Sequence, residues 1–63
     1  MTLDLSPRLR DADRLFAALV AAHEGLDQAA SRQLDARLVL ILANHIGDES
    51  VVLKALRTAQ ELP

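Results

Sequence analysis

The sequence predicts an all-α protein of three helices, and three observations predict it. Hydrophobic residues make up 51% of the 63-residue chain, yet Phe16 is its only aromatic. A core of Leu, Val, Ile and Ala without rings suits close-packed helices better than a sheet sandwich. The only two glycines, Gly25 and Gly47, each precede an acid that can cap a helix, Asp27 and Asp48. Between these punctuation marks, apolar residues recur at spacings of three and four, the period of a helix face. Helices are therefore expected at about residues 12–24, 28–46 and 49–61. A flexible amino-terminal arm over 1–10 should precede a single domain over 11–63.

The arm holds Ser6-Pro7, which could start an early turn because Pro is favoured at the first helical position. Asp11 is the expected cap of the first helix. That helix places Ala12, Leu15, Phe16, Leu19 and Val20 on one side. The third does the same with Val52, Ala55, Leu56 and Ala59. The second differs. Leu34, Leu38 and Ile41 form one stripe, Val39, Leu42 and Ile46 a second, and Leu40 with Ala43 a third. A helix apolar on nearly every side needs neighbours on every side. Two short helices can hardly cover it, so part of its surface should meet another chain.

Size supports the same expectation. A folded chain this short buries only about 60% of the surface its unfolded form exposes. A core of that size rarely supplies more than roughly 3–5 kcal/mol without a disulfide, a metal or a partner. The chain has no Cys, which removes disulfides and thiolate zinc sites. Oligomerisation or docking onto a larger protein remains.

Composition also excludes several function classes. Seven basic residues are dispersed among nine acidic ones, for a formal net charge of −2, whereas nucleic-acid affinity rests on clustered Lys and Arg. The third helix sets Lys54 and Arg57 against Glu49 and Glu61, so it has no basic recognition face. The longest apolar run, Leu38 to Ala43, is far short of the roughly 18 residues of a membrane span. The opening Met1 to Arg8 lacks the basic leader and apolar stretch of a secretory signal. A soluble cytoplasmic protein that binds neither nucleic acid nor membrane is expected.

Chemistry-bearing residues are few. His23 and His45 each fall in the last turn of a helix, where the helix dipole favours positive charge. A short turn after residue 24 would make the first two helices antiparallel, leaving these histidines roughly 27 Å apart at 1.5 Å per residue. No intrachain metal site is expected from them. Asp11, Asp13, Asp27, Asp48 and Glu49 fall at helix starts and read as caps and dipole partners. Ser6, Ser31 and Ser50 have no neighbouring base, and two distant glycines cannot form a phosphate-cradling loop. No catalytic residue and no cofactor are expected, and the chain reads as a non-enzyme.

Four polar residues stand out against so apolar a background. Arg37 lies between Leu34 and Ile41, and Asn44, His45 and Asp48 gather around the second helix junction. Arg37 could lay its stem along the core edge with its head in water. It could instead anchor a partner, since Arg is enriched at binding hot spots. Arg37, Asn44, His45 and Asp48 are accordingly the candidate partner-binding residues.

Two stretches carry a family resemblance: Ala22-His23-Glu24-Gly25-Leu26, and the long run from Leu34 through Ala43-Asn44-His45-Ile46-Gly47-Asp48. They resemble a bacterial family of unknown function, number 2783, over about residues 11–59. Its members are short stand-alone proteins without established catalytic residues, and their genes tend to lie beside flavin-dependent monooxygenases that hydroxylate aromatic compounds. The resemblance implies an accessory subunit or partner of such an enzyme. A self-associating structural module or a small regulator, anti-sigma-like or antitoxin-like, is the alternative that the residues leave open.

Overall fold

The computed structural model describes residues 2–63, and among these there are three helices and no strand. They are α1 (Ala12–His23), α2 (Gln28–Ile46) and α3 (Glu49–Glu61). Asp11, Asp27 and Asp48 cap them in turn, each carboxylate accepting a backbone N–H of the first helical turn. Those donors have no intrahelical partner, and the Asp oxygen supplies one.

The helix ends differ. Gly47 closes α2 in the left-handed conformation, φ 72°, and its N–H bonds to the Ala43 carbonyl 2.9 Å away. Helix α1 stops one residue earlier than its pattern predicts, because Glu24 turns extended. The Glu24 N–H bonds Ala21 and the Leu26 N–H bonds His23 across Gly25, φ 76°. A left-handed residue is needed at both junctions, and glycine takes it without a Cβ clash.

Helices α2 and α3 pack against each other, while α1 touches the rest only slightly. Val39, Leu42, Ala43 and Ile46 of α2 face Val51, Val52 and Ala55 of α3 across a groove of about 210 Å³, which Leu3 of the arm also lines. The inward face of α3 keeps Val52 and Ala55 of the expected one but centres on Val51. Val51 is its buried residue and Thr58 is half-buried, whereas Leu56 is exposed. Val51, Ala55 and Thr58 share one stripe at helical spacing. Leu56 lies about 140° around the helix from Val51, at 100° per residue.

Val51, 6% exposed, is the one buried hydrophobic among the described residues. Leu19, Leu34 and Leu38 are half-buried, and Phe16 is 69% exposed. The accessible surface is 5869 Å², against about 4,000 Å² for a compact monomer of 6.9 kDa. The radius of gyration of 13.2 Å likewise exceeds the roughly 11 Å of a compact chain of this length. Among the described residues, no helix is long and apolar enough to cross a membrane.

Candidate interaction surface

The outer face of α2, opposite the stripe that lines the groove with α3, carries Arg37, Leu40, Ile41 and Asn44. On a helical wheel these four lie within about 100° of one another, opposite Val39, Leu42 and Ile46. All four are exposed. Leu40 and Ile41 are 70% and 65% exposed, more than any other large apolar residue of α2. This face therefore pairs an aliphatic centre with a cation one turn before it and an amide one turn after it. Beside it lies an open hollow of about 460 Å³ lined by Leu40, Ala43, Asn44, Gly47 and Glu49. The hollow exists because Gly47 reverses the chain directly into the α3 cap, leaving the last turn of α2 beside the first turn of α3. Leu40 and Ala43 supply its apolar lining and Asn44 and Glu49 its polar side chains.

The four candidate residues do not form one cluster. Arg37 and Asn44 share the outer face. His45 is exposed in the last turn of α2, one wheel step from Ile41. Asp48 is half-buried at the junction and caps α3, accepting from Ser50 through both its N–H, at 3.0 Å, and its hydroxyl, at 2.7 Å. The Ser50 hydroxyl holds the Asp48 carboxyl below the usual carboxylate range. Asp48 thus serves local structure as well as bordering the surface.

A side-chain pair that helical periodicity does not reveal joins α1 to α2. The His23 imidazole sits 2.6 Å through Nδ1 from the Leu19 carbonyl and 2.7 Å through Nε2 from Asp35 Oδ1. A carbonyl and a carboxylate only accept, so both ring nitrogens donate when the ring is an imidazolium. The Leu19 carbonyl first, and the Asp35 hydrogen bond next, raise the His23 pKa above its ordinary value. The pair ties the end of α1 to the second turn of α2. The available signal was Asp35 itself, an acid on the otherwise weakly charged second helix and within reach of the hairpin turn. Among the described residues, no three His, Cys, Asp or Glu side chains gather closely enough to hold a metal ion.

No curated protein and no solved structure matches the chain. The family described as protein of unknown function (DUF2783) matches residues 3–61, slightly more than the residues 11–59 over which the resemblance was expected. The chain belongs to the DUF2783 family.

Proposed function

We propose that this chain is a non-enzymatic protein–protein interaction module, acting in the cytoplasm, whose fold is completed by another polypeptide. The observation that carries this reading is the exposure of large apolar side chains on all three helices, Phe16, Leu40, Ile41 and Leu56 among them. Exposed apolar surface of this extent marks an interaction site rather than an ordinary solvated face. Arg37, Asn44, His45 and Asp48 are the polar residues of the proposed partner surface, arranged around the Leu40–Ile41 centre and the helix junction.

The partner class that the family resemblance implies is a flavin-dependent aromatic monooxygenase, which this chain would serve as an accessory subunit. The second reading is a self-associating module or small regulatory binder, anti-sigma-like or antitoxin-like. It is favoured by the aliphatic composition of the surface, which lacks the Trp and Tyr anchors common at transient interfaces. The test is purification of a tagged chain from its native cell beside Arg37→Ala and His45→Ala variants. A stoichiometric flavoprotein, recognised by its flavin absorbance and lost from the variants, supports the accessory-subunit reading. A chain that purifies alone as a folded monomer overturns the interaction module.

A further inference from the structure

We propose that the outer face of α2 is a two-fold interface, occupied by α2 of a second copy running antiparallel across Leu40 and Ile41. This rests on the interaction-module reading and names the partner of that surface. Area is the first argument. The chain exposes about 1,900 Å² more than a compact monomer of its mass. Residues 2–10 would account for at most about 900 Å² of this were they exposed like an unfolded chain, which leaves at least about 1,000 Å² on the helices. A standard interface covers about 800 Å² per partner. The helices therefore carry one interface's worth of surplus surface.

Composition decides between a second copy and an unlike protein. Obligate homodimer interfaces resemble a domain core cut in half. This chain has the aliphatic residues of a core and buries Val51 alone among them. A fold so incomplete needs its partner whenever it is folded, and a second copy is present wherever the chain is made.

Symmetry then places the polar residues. Arg37 lies three positions before Leu40, and Asn44 three positions after Ile41. Both are about 5 Å along the helix from a point midway between Leu40 and Ile41, at 1.5 Å per residue. A two-fold axis through that point sets Arg37 of one chain opposite Asn44 of the second copy, and the same contact repeats on the other side. The guanidinium donates to the amide oxygen, so the cation at the rim of the aliphatic centre gains a neutral acceptor. A parallel arrangement would set Arg37 against Arg37.

The experiment uses the full-length chain and exploits its lack of cysteine. Light scattering after size exclusion at micromolar concentration should give twice the chain mass of 6.9 kDa. Single Leu40→Cys and Ile41→Cys variants should form disulfide-linked dimers under mild oxidation at least tenfold faster than Leu62→Cys. Leu62 is comparably exposed, 67%, but lies beyond the end of α3. Leu40→Lys should weaken dimerisation at least tenfold. Because that variant could also unfold, the cysteine rates stand as the independent readout. A disordered monomer overturns the second copy and leaves an unlike partner as occupant. A cooperatively folded monomer overturns both this proposal and the interaction module. A dimer in which position 62 cross-links as fast as 40 and 41 overturns the α2 interface.

Discussion

His23 Nε2 lies 2.7 Å from Asp35 Oδ1, and this charged hydrogen bond ties two helices that otherwise touch only slightly. The His23 pKa is raised above 6.5, first by the Leu19 carbonyl and then by Asp35. A raised folded-state value means that the stabilisation is fully present below the unfolded value near 6.5. It is lost as pH rises through the folded value. Thermal melts across pH 5.5 to 8.5 should therefore show the hairpin weakening on the alkaline side. His23→Gln should remove that part of the pH dependence, and an NMR titration of the ring should place His23 above about 6.5. A His23 that titrates below 6.5 would show that the pair does not persist in solution.

The two glycines should respond to conformation rather than to space. A Cβ at Gly25 would meet nothing within 4 Å, and at Gly47 only the Asn44 carbonyl at 3.9 Å, yet both backbones are left-handed. Gly47→Ala should cost about 1 kcal/mol of stability, with Gly47→Asn milder because Asn tolerates this region. Denaturant midpoints with an unchanged slope are the check. A neutral Gly47→Ala would mean that the α2 end relaxes out of the left-handed state.

Val51 and Leu40 should separate folding from association. Val51→Ala removes two buried carbons at roughly 0.8 kcal/mol each, so about 1.5 kcal/mol of stability should go. Leu40→Ala, on the exposed outer face, should affect melting mainly at concentrations where the chain associates. Melting both variants at two protein concentrations tests this. Equal, concentration-independent losses would place Leu40 in the chain's own core.

Arg37→Ala and His45→Ala should each change the stability of the unassociated chain by under about 1 kcal/mol, since both residues are exposed. Each should cost about 2 kcal/mol or more of partner affinity. Asp48→Ala should lower both, because the carboxylate also caps α3. Paired measurements of melting and partner retention distinguish the outcomes. Variants that melt early yet keep the partner would make these residues structural.

The helix positions were legible because an Asp cap begins each helix and a left-handed Gly stands at each junction. Asp11, Asp27 and Asp48 cap as their positions predict, and only the end of α1 moved, by one residue. The inward face of α3 was legible only in part, through Val52 and Ala55. Val51, Val52, Leu53, Ala55 and Leu56 offer apolar residues on several sides, and the tight Gly47–Asp48 junction turns Val51 inward. His23–Asp35 was hidden for another reason. It depends on how α1 meets α2 after a four-residue connection, a tertiary relation that helical periodicity does not encode. The candidate surface was legible in part, with Arg37 and Asn44 on one face and Asp48 drawn into a cap.

Completion of this fold by association is tested most directly by the concentration dependence of its melting. Circular dichroism melts of the purified chain over a hundredfold range of concentration should show Tm rising with concentration, as mass action requires of a folded dimer and unfolded monomers. A cooperative melt with the same Tm throughout that range would contradict the account, since it would show a chain complete on its own.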